Sequence, residues 1–127
     1  MTKEQKFYQQ FRKNLPKYSD CVRVENVLQS GMPDVNACFA GREIWVELKC
    51  YEHSKVLIRP QQYAWGMRRA ETLGRVFIVA LHPSNNIHVW RFPHIDVIPD
   101  GKYLMVKSLF CEQFYLDTAL NIQLFGV

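Results

Sequence analysis

The run Val76-Phe77-Ile78-Val79-Ala80-Leu81, entered from Arg75, is apolar at every position. Side chains in a strand alternate between two faces. A strand without a polar face reads as a central one, covered on both sides. The sequence before it supplies the cover. Pro60 suits the first turn of a helix, which runs to about Leu73 and ends at Gly74. Tyr63, Met67, Ala70 and Leu73 form its expected buried stripe. Upstream, Glu43 to Lys49 reads as a strand. Strand, helix and strand make a parallel, right-handed βαβ unit. The fold class is α/β, a mixed central sheet flanked by helices.

A hairpin leads into this unit. Val35 to Ala40 is its first strand, Gly41-Arg42 the turn and Glu43 to Lys49 the return. Ile44, Val46 and Leu48 share the buried face, while Trp45, Glu47 and Lys49 share the other. Charges beside a buried stripe need a chemical reason. Asp34 and Glu47 place two carboxylates across one hairpin, with the Leu48 carbonyl between Glu47 and Lys49. Hard divalent cations such as Mg²⁺ or Mn²⁺ take such oxygens, and a bound ion lowers the pKa of its water. Lys49 is placed to orient that water or to offset a developing oxyanion. Gly31 and Pro33 restrict the loop that delivers Asp34.

Pro33-Asp34 followed by Glu47-Leu48-Lys49 resembles the PD-(D/E)xK nuclease superfamily. With Arg23-Val24-Glu25-Asn26, Ser30-Gly31-Met32-Pro33-Asp34-Val35, Gln62 and Trp65, the pattern resembles its VRR-NUC branch, the virus-type replication and repair nucleases, over roughly residues 4 to 82. The resemblance implies a restriction-endonuclease-like core in αβββαβ order and a metal-dependent endonuclease acting on DNA. It implies roles for Glu25, Asp34, Glu47, Lys49 and Gln62, with Gln61 the neighbour that Gln62 must be told from. Asp34, Glu47 and the Leu48 carbonyl are then the metal ligands, with Glu25 as a third carboxylate. Taken by itself, Glu25 also fits a surface ion pair with Arg23. An acid on the first helix, Glu4, is a further candidate ligand. By analogy, a homodimer cutting branched or four-way-junction DNA follows.

The other segments are consistent with one domain spanning 1–127. Residues 2 to 14 read as a helix capped by Thr2 and Gln5, with Phe7, Tyr8, Phe11 and Leu15 as its apolar stripe and Pro16 as its stop. Lys3, Lys6, Arg12, Lys13 and Lys17 make the rest of that helix either a solvated or a phosphate-contacting face. Cys21 to Val27 reads as a strand, with Val22 and Val24 on one face and Arg23 and Glu25 on the other. Cys50 to Arg59 is polar and suits a flap. Lys55, Arg59, Arg68 and Arg69 are candidate phosphate contacts; for Arg68 or Arg69 alone a solvated helix face fits equally well. Ile87 to Phe92 is a further strand, with Trp90 and Phe92 packing one side. Residues 93–127 form an extension that either closes the core or makes a dimer contact: edge strands at Ile95–Ile98 and Lys102–Lys107, a helix at Leu109–Leu116 and an apolar tail from Leu120.

Net charge is +4, which permits a polyanionic partner without demanding one. Four cysteines without paired spacing, Cys21, Cys38, Cys50 and Cys111, read as buried free thiols in a reducing compartment, and argue against zinc. The N-terminus lacks an apolar signal core, and no run approaches the roughly 18 residues of a membrane span. The cytoplasm is the expected location. Two alternatives remain beside the nuclease: a non-catalytic DNA-binding module of the same fold, and an assembly protein using its apolar C-terminus.

Overall fold

A computed structural model describes residues 1–24, 30–107, 112–114 and 118–126. In chain order the elements are α1 (Lys3–Lys13), β1 (Asp20–Arg23), β2 (Val35–Phe39), β3 (Arg42–Cys50), β4 (Leu57–Ile58), α2 (Pro60–Glu71), β5 (Val76–Leu81), β6 (Ile87–Arg91), β7 (Val97–Asp100), β8 (Tyr103–Val106), β9 (Glu112–Phe114) and α3 (Thr118–Phe125). The central sheet has six strands in the order β1-β2-β3-β5-β6-β9. Among the described residues, β3 and β5 are the pair that runs in parallel, as the helical crossover between them allows. The expected αβββαβ order is present, with the short β4 inserted before α2.

Strand alternation sorts the core into two layers. Phe77 and Val79 of β5 join Ile44, Val46 and Leu48 of β3 beneath α1 and α3. Val76, Ile78 and Ala80 face the opposite way, toward Trp65 of α2 and toward Val56, Ile58, Trp90, Phe92, Ile95 and Val106. The apolar run therefore is a central strand covered on both faces. Phe7 and Phe11, one turn apart on α1, are each 1% exposed. Their helix starts where expected: the Thr2 hydroxyl accepts the Gln5 N–H at 3.1 Å, and the Gln5 side chain accepts the Thr2 N–H at 2.9 Å.

Several expectations are corrected. The hairpin pivots on Ala40 and Gly41, both at positive φ, so Arg42 already pairs with Phe39. In α2 the fully buried positions are Gln62, Trp65 and Gly66; the expected Tyr63, Met67 and Ala70 pack half-buried against the same core, whereas Leu73, beyond the helix, is 90% exposed. Gly66 lets the helix approach closely, since a Cβ there would lie 2.5 Å from the Phe92 ring. Leu73, not Gly74, takes the left-handed turn after the helix. The stretch 50–59 is not a free flap: Val56 and Ile58 are buried, and β4 pairs with β8 in a second sheet of order β4-β8-β7. Glu112–Phe114, expected to be helical, pairs with β6 as a strand; the rest of that expected helix lies outside the described residues. On β1, Val22 is 50% exposed, as an edge position allows.

The C-terminal helix α3 packs into the first core layer. Leu120, Leu124 and Phe125 are buried there, while Ile122 points outward at 52% exposed. Two arginines hold its end. Arg42 Nη1 donates to the Phe125 carbonyl at 2.8 Å, and Arg75 Nη2 to the Leu124 carbonyl at 2.7 Å, satisfying carbonyls that a helix C-terminus leaves unpaired. Leu124→Ala is expected to cost about 3 kcal/mol in urea denaturation, and Ile122→Ala under about 0.5 kcal/mol.

Candidate active site

The register of the hairpin builds the site. Val35 pairs with Val46, so Asp34, one residue earlier, stands opposite Glu47. Peptide groups then cross-brace the two acids. The Asp34 N–H donates to Glu47 Oε1 at 3.2 Å, and the Leu48 N–H donates to Asp34 Oδ1 at 3.1 Å. The Asp34 carbonyl accepts the Val24 N–H at 2.7 Å, tying the end of β1 to the same point. Lys49 Nζ lies 3.6 Å from Glu47 Oε2, the two side chains being 20% and 13% exposed. Asp34, Glu47, the Leu48 peptide and Lys49 thus come together on the face covered by α2.

Gln62 joins them from the first turn of α2. Its Oε1 accepts the Arg59 N–H at 2.8 Å, and it is 8% exposed. It lines, with Gly31, Pro33, Glu47, Ile78 and Phe92, a crevice of about 10 Å³, room for about one water. Gln61 is exposed, so Gln62 is the glutamine that meets the acids. The approach of loop to helix is close. Gly31 has φ +84°, and a Cβ on it would fall 2.0 Å from the Gln61 carbonyl oxygen. Only glycine lets the loop before Asp34 seat against α2.

Burial raises the Asp34 carboxyl above its ordinary value, opposed by the Leu48 N–H and the Arg23 charge. Burial, and then the Asp34 charge, raise Glu47 to about 7, opposed by Lys49, the Asp34 N–H and Arg59. Two acids so close resist ionising together. A cation between them relieves both burial and repulsion. Among the described residues no three His, Cys, Asp or Glu side chains gather as a metal cluster. The donors present are the Asp34 and Glu47 carboxylates and the Leu48 carbonyl, which shares an edge of β3 with the Leu48 N–H. That all-oxygen set fits Mg²⁺ or Mn²⁺ with water completing the shell. Glu25 lies outside the described residues. Glu4, on α1, acts instead on Cys50, whose thiol is raised by burial and then by that carboxylate.

The basic candidates separate. Arg59, at the start of α2, acts on Glu47. Lys55 is paired with Asp100 at 2.9 Å. Arg69 lies over the rings of Trp65 and Trp45, at 4.7 and 5.8 Å from their centroids, which holds it beside the aromatic pair. Arg68 is exposed on the outer side of α2. Arg23, which acts on Asp34, was not among the sequence candidates. Its proximity follows from the pairing of Arg23 with Val35, which local sequence does not announce. It also packs over the Tyr8 ring at 5.2 Å.

No family model matches this chain, and no curated protein matches it. The structure is similar to that of Hjc, a Holliday junction resolvase from the archaeal hyperthermophile Archaeoglobus fulgidus. The TM-score is 0.67 at 11% sequence identity, covering 89% of this chain and 93% of that one. The fold is restriction-endonuclease-like. In this restriction-endonuclease-like sheet Asp34 lies just before β2 and Glu47 lies within β3, where no β2 residue faces Leu48 and its N–H is left to the Asp34 side chain.

The raised Glu47 value has a consequence for stability. Below pH 4.5 the carboxyl is protonated in folded and unfolded chains alike, and its burial costs little. Between 4.5 and about 7 the unfolded chain ionises first, so stability falls as pH rises, by roughly 3 kcal/mol in total. In EDTA, urea denaturation of the wild type is expected to show this fall between pH 4.5 and about 7, and Glu47→Gln to flatten it. Adding Mg²⁺ at pH 8 is expected to stabilise the wild type and leave Glu47→Gln unchanged.

Proposed function

We propose that this chain is a divalent-metal-dependent endonuclease that hydrolyses DNA phosphodiester bonds, with branched DNA such as a four-way junction as its preferred substrate. The observation that carries the reading is the cross-braced pair Asp34 and Glu47, held nearly buried at 3.2 and 3.1 Å by each other's peptides with Lys49 alongside. Two repelling carboxylates kept beside a lysine are poorly explained by folding needs alone. A phosphate-binding surface without chemistry has no use for carboxylates that repel its ligand. The likeness to a Holliday junction resolvase supports a branched substrate, and the motif order supports placement in the VRR-NUC branch.

In this reading Asp34, Glu47 and the Leu48 carbonyl hold the ion, and Glu25 supplies a third carboxylate. The ion, when bound, lowers the pKa of a water and offsets charge on the phosphate. Lys49 orients the attacking water and stabilises the charge that develops on phosphate oxygen. Gln62 is held by its hydrogen bond to the Arg59 peptide, which aims its amide at the crevice beside Glu47. Arg59 and Arg23 flank the acids and hold phosphates on either side. Arg68 and Arg69 carry positive charge further along α2, while Lys55 is engaged by Asp100. A symmetric homodimer presents two such sites for paired cuts.

Incubation with Mg²⁺ or Mn²⁺ and supercoiled, linear or four-way-junction DNA tests the reading. Cleavage is expected with the metal and not in EDTA. Asp34→Asn, Glu47→Gln and Lys49→Ala are each expected to lower the rate about 100-fold or more. Absence of cleavage on every substrate, with wild type and Lys49→Ala alike, overturns it. DNA binding that persists in EDTA without turnover then favours the non-catalytic module.

A further inference from the structure

The parallel strands β3 and β5 end side by side, Cys50 pairing with Leu81, and a cleft opens beyond them. It has a volume of about 400 Å³, and Lys3, Lys6 and Gln10 of α1 face Tyr51 and His82 across it. In open α/β sheets ligands bind outside the carboxyl ends of the strands, and this volume lies within the range of small-ligand sites. Tyr51 stands two residues beyond Lys49 and so on the same side of the strand, about 13 Å along it from Glu47.

The lining has two parts. Tyr51 and His82 meet edge to face, with centroids 4.9 Å apart, and His82 stacks on His88 at 5.1 Å. Tyr51 is held by a 2.6 Å hydrogen bond between its hydroxyl and His88 Nδ1. His88 is only 7% exposed, and burial, then His82, keep its pKa below the ordinary value. The aromatic wall is therefore fixed in place from behind. Opposite it stand two ammonium groups. Rings for a base and cations for a phosphate are the composition of a single-strand site.

We propose that this cleft holds one unpaired nucleotide of the DNA strand running through the acid site, its base against Tyr51 and His82 and its phosphate on Lys3 and Lys6. The proposal rests on the nuclease reading and names what would make that nuclease favour branched over fully paired DNA. A duplex stacks its bases away from such rings, whereas a strand leaving a branch point presents them.

The test is fluorescence anisotropy of the full chain in EDTA, so that cleavage plays no part. The probes are a labelled single-stranded oligothymidine and a blunt duplex of the same length. Lys6→Ala and His82→Ala are each expected to weaken single-strand binding about tenfold and duplex binding less than twofold. Lys17→Ala, on the same basic segment but outside the cleft, is expected to change neither selectively. Thermal melts of each variant verify that the fold is kept. Equal loss for both probes, or no loss for either, overturns the cleft as a nucleotide site. Neither result bears on cleavage, which the metal-dependent assay with Lys49→Ala decides separately.

Discussion

One pair of hydrogen bonds organises the working face of this molecule. The Asp34 peptide binds the Glu47 carboxylate, and the Leu48 peptide binds the Asp34 carboxylate. Each acid is held by the backbone next to the other, so neither can move alone. The bonds exist because β2 begins only at Val35, opposite Val46, while β3 continues past Val46. The peptide edge of β3 left open there is satisfied by a side chain instead of a strand. Burial and mutual repulsion then load the pair electrostatically, which is the condition under which a divalent ion is held most firmly.

The rest of the fold delivers elements to that point. The central strand β5 supplies Ile78 beneath Glu47 and Ala80 beside Lys49. Ala80 in turn pairs with His88, so a small residue separates the lysine from the buried histidine. The helix α2 comes close because two glycines remove Cβ atoms from the contacts: Gly31 against the Gln61 carbonyl, and Gly66 against Phe92. That closeness turns Gln62 inward and sets Arg59 near Glu47. On the opposite face α1 and α3 seal the core without touching the acid pair, which leaves the basic side of α1 free to serve the cleft beyond β3.

Much of this was legible in the sequence. The unbroken apolar run 76–81 required cover on two sides, and alternation along β3 separated Ile44, Val46 and Leu48 from Glu47 and Lys49. The Thr2 and Gln5 cap, the parallel β3–β5 crossover and the meeting of Asp34 with Glu47 follow from rules of short range: period, capping chemistry and hairpin register. Where such rules are weak, spacing misleads. Leu73 has core spacing and is exposed, because α2 ends at Glu71 and the chain has already turned into the left-handed region at Leu73.

What only the tertiary structure decided are matters of long-range pairing. Leu57–Ile58 became a strand because β8, some fifty residues later, offered it an edge. Glu112–Phe114 became a strand because β6 did the same. Arg23 came to act on Asp34 through the β1–β2 pairing, and Tyr51, His82 and His88 met through strand ends that sequence alone does not align. Local chemistry determined which groups could do work; the order of strands in the sheet determined which of them met.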